Sequence, residues 1–183
     1  MDTAQRLRRE NIAEYILYIW QLEDLLRAIQ FSPEAIYSQL VAPRKLHPNE
    51  AEATLAWYVE LAELLEREGK GESGHIEHTI HLIADLHNLH LQLLELPVGL
   101  EYRMHYDRLS EVLPDLRELH KGELSDTELA FRALYAAMLY RIKGEGARGA
   151  VVDTIEYVSP VIAQLAKTFG QIERGELNLF AKE

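Results

Sequence analysis

A chain of 183 residues with no cysteine can bury a core of its own, and it has no disulfides, thiol catalysis or Cys-based zinc sites. Its formal charge of −11, from 30 acids against 19 Lys plus Arg, repels a phosphate backbone. No basic stripe interleaved with aromatics offsets that charge, so nucleic acid is not an expected partner. The start, "MDTAQRLRREN", is not followed by an apolar signal-peptide run, and the longest apolar stretch, Tyr15–Trp20, falls far short of the roughly 20 residues a membrane span needs. The expected setting is therefore the cytoplasm, with no membrane partner.

Apolar residues recur at spacings of three and four throughout, and no alternating run competes with them, so the chain reads as all-α. A first helix is predicted from about Thr3 to Phe31, with Leu7, Ile12, Tyr15, Ile16, Ile19, Leu22, Leu25, Leu26 and Ile29 on one broad stripe. "SPEA" restarts the chain: Ser32 caps, Pro33 takes the first helical position and Glu34 suits the positive helix end. This second helix is short and ends before Pro43. Asn49 and Glu52 have the spacing of a capping box and open a third helix that runs to about Glu68. "GKGESG", Gly69–Gly74, is a clear break, after which Ser73 caps a fourth helix running to about Glu95.

A fifth helix is predicted over about Leu100–Leu119, kinked or split by Pro114. Ser125 and Glu128 form a capping box for a sixth, Asp126–Lys143. That helix has almost no polar face. Phe131, Leu134, Tyr135, Met138, Leu139 and Ile142 make one side. Ala130, Ala133, Ala136 and Ala137 make much of the other, where a neighbouring backbone can come close. "GEGARG" is a second glycine break. A seventh helix follows from about Ala150 to Ile172, interrupted near Pro160, and the tail "ERGELNLFAKE" is frayed or weakly docked. The expected fold is a single-domain all-α bundle of about seven helices over residues 1–183, with antiparallel neighbours and the fourth and sixth helices central.

Five of the eight histidines crowd into the fourth helix and its entrance, "GHIEHTIHLIADLHNLH". At about 100° per residue, Glu77, His81, Asp85, Asn88, Gln92 and Glu95 make one polar stripe with His78 at its edge. His78, His81 and Asp85 follow at i, i+3 and i, i+4, so they share a face and offer ligand types suited to Zn²⁺ or another first-row metal. A further ligand would have to come from another helix, and Glu101 and His105 are candidates. The bland alternative is a solvated face with polar pairing. His87 and His90 instead lie inside the apolar arc. Buried imidazoles need partners for both nitrogens. The pair is either a neutral, hydrogen-bonded core element or the lining of a pocket for a small molecule.

Leu17 and Trp20 fall on the otherwise polar side of the first helix, among Glu10, Glu14, Gln21 and Asp24. Either a neighbouring helix of the same chain covers them or they form the interface to a second subunit. Glu10, Glu14, Glu23 and Asp24 read as a solvated acidic face, of which Glu23 lies nearest the apolar boundary and is the candidate for burial. Neither glycine loop has the pattern of a phosphate cradle, and no nucleophile has an adjacent base.

The N-terminal "RRENIAEYILYIWQLEDLLRA", the joint "REGKGESGHI" and "LHNLHLQLL", in this order and at this length, resemble a bacterial family of Bacteroidetes-type genomes known as a domain of unknown function. The resemblance covers nearly the whole chain and is least distinctive after about Lys121. It implies an intracellular helical protein and brings no catalytic residues. The leading functional expectation is a non-enzymatic interaction or scaffold protein, a homodimer acting through helical surfaces. The alternative is a metal- or small-molecule-binding bundle, conceivably a metal-dependent enzyme, using the His-rich helix.

Overall fold

The computed structural model describes residues 2–120, 122–142 and 150–179. Among these the protein is helical without a strand, in two compact units. One comprises Met1–Glu10 with Glu14–His81, the other Asn11–Ala13 with Leu82–Glu183. Nine α-helices stand where about seven were expected, because two of the expected helices are each divided.

The first division is at Asn11, between α1 (Asp2–Glu10) and α2 (Ile12–Ala28). The Asn11 side-chain oxygen accepts the amide of Ala13 at 3.1 Å, the local bond by which Asn starts a new helix. At its other end α2 closes three residues before the expected Phe31. Gln30 and Phe31 turn left-handed, and the Phe31 amide reaches back to the Leu26 carbonyl at 3.0 Å.

In the first unit, Ser32 caps α3 (Pro33–Ile36) as expected, its hydroxyl accepting the Ala35 amide. A π-turn, Tyr37–Val41, and a 3₁₀ turn, Ala42–Arg44, lead on to α4 (Pro48–Arg67). The cap of α4 is His47 rather than Asn49. Pro48 takes the first helical position, and Glu50, not Glu52, reaches back to the His47 amide at 3.4 Å. The core joins Ile19, Leu22 and Leu26 of α2 to Ile36 and to Tyr58, Leu61 and Leu65 of α4, with Ile76 beside them. Leu25 does not belong to the buried stripe and is 47% exposed. It follows Ile16 by nine residues, which at about 100° each puts it on the opposite side of the helix.

Helix α5 (Glu77–Glu95) begins in the first unit and continues in the second. It starts at Glu77, so Ser73 is not its cap. In the second unit it is followed by a 3₁₀ turn, Pro97–Gly99, then α6 (Leu100–Ser110) and α7 (Leu113–Leu119). Pro114 lies in the first turn of α7, so the expected fifth helix is split rather than kinked. Ser125 caps α8 (Asp126–Ile142) by accepting the Glu128 amide at 3.2 Å. Both α6 and α8 pack on α9 (Ala150–Glu173), and α7 packs on α8.

Pro160 sits inside α9 without interrupting it. A helix tolerates the lost backbone bond where burial holds it on both sides, and Val158, Val161, Ile162 and Leu165 are all buried. The expected end of the sixth helix at Lys143, the "GEGARG" break and the last four residues of the tail lie outside the described residues.

The joint between α5 and α6 is tight. Arg103 donates to the Leu93, Leu94 and Leu96 carbonyls at 3.0, 3.3 and 2.7 Å, satisfying the end of α5 with a cation where the helix dipole is negative. Gly99 sits so close that a Cβ there would lie 1.8 Å from the Leu93 carbonyl oxygen. A Gly99→Ala protein is expected to lose about 2 kcal/mol in urea unfolding, because backbone rather than a flexible side chain must move. A loss below about 0.5 kcal/mol, the scatter of ordinary surface changes, would contradict that approach.

Candidate functional site

The first unit holds a buried acid. Glu23 of α2 is fully buried, and one carboxylate oxygen lies 2.6 Å from Nδ1 of His75 while the other accepts the Ile76 amide at 3.1 Å. Arg27, one turn along α2, stands 3.9 Å from the same carboxylate and 2.8 Å from Asp24. Its remaining N–H groups donate to the Lys70 and Gly74 carbonyls. The segment entering α5 is thus tied to α2 from both of its ends. The Glu77 amide is taken by Glu68 at 2.7 Å. Two carboxylates therefore do at the start of α5 what Ser73 was expected to do.

Trp20 belongs to the same assembly. It is fully buried, stacks on His75 with ring centroids 3.7 Å apart, and donates its indole N–H to the Thr79 hydroxyl at 3.0 Å. Its cover is therefore its own chain, and the expectation of a second subunit at Trp20 is corrected; Leu17, the other half of that candidate interface, is half-buried. His78 and His81 are exposed in the first turn of α5. The His78 ring meets Tyr15 edge-on at 6.0 Å, and burial, then Arg8 and His81, holds its pKa below the usual range despite Glu68. Asp85 is an exposed residue of the second unit. Among the described residues no group of three or more His, Asp or Glu side chains is placed to hold a metal ion.

In the second unit His87 and His90 are joined to a polar chain. His87 is half-buried, with Nδ1 at 3.2 Å from the Thr127 hydroxyl. His90 is buried, with Nδ1 at 2.7 Å from the Tyr102 hydroxyl. The two imidazoles stack at 5.2 Å, and the Tyr106 ring leans on His90 at 4.6 Å. Tyr106 donates to Asp126, which also pairs with Arg117. Burial, reinforced by the neighbouring His87, pushes the His90 pKa down to about 4 against a weaker pull from Asp126. Burial likewise pushes both Tyr102 and Tyr106 well above the ordinary tyrosine range. Burial thus keeps the His90 ring neutral and both tyrosine hydroxyls protonated at neutral pH. His87 and His90 are members of one hydrogen-bonded polar cluster of the second unit.

Sequence periodicity exposed Glu23 and His90 but not their partners. Tyr102 lies 12 residues from His90 and His75 lies 52 from Glu23. Both separations exceed the reach of a helical repeat.

An apolar concavity of the second unit lies between α7, α8 and α9. It encloses about 490 Å³, with Leu116, Leu119, Ala133, Ala136, Tyr140 and Tyr157 among its walls. The alanines are those of the small-residue side of α8 noted in the sequence. Two of its apolar wall residues stand partly in solvent: Leu119 is 69% exposed and Tyr140 41%. Among the described residues no helix is long and apolar enough to cross a membrane, so a bilayer span does not account for this surface.

One family model matches residues 1–176 of the chain, and its description is "Domain of unknown function (DUF4924)". No curated protein and no solved structure matches.

Proposed function

Since the chain belongs to this family, whose description assigns no chemistry, we propose its role from geometry: a non-enzymatic interaction protein that pairs with a second copy of itself through the α7–α8–α9 groove. The observation that carries this reading is a receiving surface and a projecting one side by side. The groove offers about 490 Å³ walled by apolar groups and the two alanines. Leu119 stands largely in solvent and Tyr140 partly so, and leaving such side chains wet costs about 1.5–3 kcal/mol each relative to burial. A two-fold axis requires one patch that is its own complement, with ridge and hollow adjacent. Alanines at the contact let the helix backbones of two copies approach closely.

Light scattering after size-exclusion chromatography tests the proposal. The native protein is expected at twice the 21.0 kDa of the chain. A Leu119→Glu/Tyr140→Glu variant is expected at the single-chain mass with unchanged helical circular dichroism. A native protein that stays at the single-chain mass at millimolar concentration overturns the proposal. So does a variant that dimerises as well as the native chain.

A further inference from the structure

Two hollows in the first unit share a wall. One, of about 440 Å³, has an aliphatic floor of Ile19, Leu61 and Ile76. The other, of about 470 Å³, is bounded by Ala4, Gln5, Arg8 and Arg9 of α1. Tyr15 of α2 and Trp57 of α4 line both, and both side chains are half-buried rather than sealed in the core. Arg8 lines the second hollow together with Tyr15 and Trp57. Burial raises the Tyr15 pKa against a weaker opposing pull from Arg8, and burial, then Arg8, lowers that of His78.

The polarity is uneven. Arg8 and Arg9 lie in the last turn of α1, where the Arg9 Nε donates to the Gln5 carbonyl at 3.3 Å and Arg6 pairs with Glu10 at 2.6 Å. Two adjacent arginines make this corner positive on a chain of net charge −11. The α4 side of the first hollow carries Glu60 and Glu63 with Arg67, two negative charges against one positive, and is the less favourable side for an anion. A molecule with a flat apolar part and one negative group is thus oriented by the site: ring toward the aromatic wall and aliphatic floor, charge toward α1.

We propose that the joined hollow binds a small aromatic ligand bearing one anionic group, the ring lying against Tyr15 and Trp57 and the anion held by Arg8 and Arg9. Its size is that of an ordinary ligand pocket, and it lies in the other unit from the groove proposed for dimerisation.

The chain's two tryptophans make the test direct. Trp57 lines the hollow, whereas the Trp20 indole is bonded to Thr79 in the core and serves as an internal reference. In ¹H–¹⁵N spectra, with the indole signals assigned by a Trp57→Phe variant, 2-naphthalenesulfonate is expected to shift the Trp57 resonance saturably and leave Trp20 in place. Methanesulfonate, an anion without a ring, is expected to shift neither. An Arg8→Gln/Arg9→Gln variant is expected to bind the sulfonate about tenfold more weakly and to bind neutral 2-naphthol as the native protein does. An unmoved Trp20 signal certifies the fold of that variant; should it move, Arg9→Gln alone, an exposed position, replaces it. Absence of a saturable Trp57 shift overturns the site. Equal affinity for sulfonate and naphthol, or for native and variant proteins, overturns the anion subsite.

Discussion

Replacing Glu23 by alanine is expected to lower the stability of the protein by about 3 kcal/mol, the low end of what removing one member of a buried charged pair costs. The carboxylate is fully enclosed, and its loss strands the Ile76 amide and His75 Nδ1 together. It also leaves a space beneath the Trp20–His75 stack. The cost stays near 3 kcal/mol, and not at the upper end, because Arg27 keeps Asp24 and the Lys70 and Gly74 carbonyls. Glu23→Gln retains an acceptor for the Ile76 amide while surrendering the charge, and about half the loss is expected. Urea unfolding of the three proteins at pH 7 measures the series. Near-UV circular dichroism reports whether the indole–imidazole stack loosens in step. A Glu23→Ala protein within 1 kcal/mol of native would mean that the carboxylate is not an organising group of the first unit.

Acid should weaken the second unit through His90. In the unfolded chain this imidazole takes up its proton as pH falls through about 6.5. In the folded protein burial delays uptake to about pH 4. Between those values the unfolded state binds more protons, so stability declines with falling pH and the decline levels off below about pH 4. The accumulated loss is about 3 kcal/mol. In His90→Phe that component is absent. At pH 8 the variant is expected to be less stable than native by about 1–2 kcal/mol, because the Tyr102 hydroxyl loses its partner. At pH 4 the order is expected to reverse. His78 and His120, whose pKa values burial also lowers, titrate alike in both proteins and cancel from the difference. Unfolding midpoints across pH 4–8 decide the matter: a gap between the proteins that does not change with pH contradicts a His90 held neutral.

The all-helical class, the Ser32 and Ser125 caps and the break before α5 were legible because each depends on residues within a few positions of one another. Glu23 could be singled out for the same reason, since its place at the edge of an apolar stripe is a local property. The division at Asn11 was not legible. The apolar spacing continues on both sides of it, and only the contact of Asn11 with the Ala13 amide separates a helix interior from a helix start. Asn49 and His47 both satisfy a capping pattern, and Pro48 decides between them by taking the first helical position. Trp20 was placed on a polar face because Glu10, Glu14, Gln21 and Asp24 surround it on the helical wheel; its cover, the His75 ring and Thr79, comes from residues more than 50 positions away. The imidazole-rich helix looked like a ligand set because periodicity shows which residues share a face, not how many partners face them. Of the apolar groove only the small-residue side of α8 was legible, and the two hollows had no signature, since their walls join α2 to Trp57 of α4, about 40 residues further on.

The way α5 begins bears on how the protein comes to be folded. The amide just ahead of its first residue, that of Ile76, is secured by a group 53 residues upstream, while the Glu77 amide is met by Glu68 only nine residues back. The distant bond cannot form until the intervening chain has closed, and closure is paid in chain entropy before any contact rewards it. The start of α5 is therefore half secured from nearby, and its other half must wait for α2 to arrive with Glu23 in place.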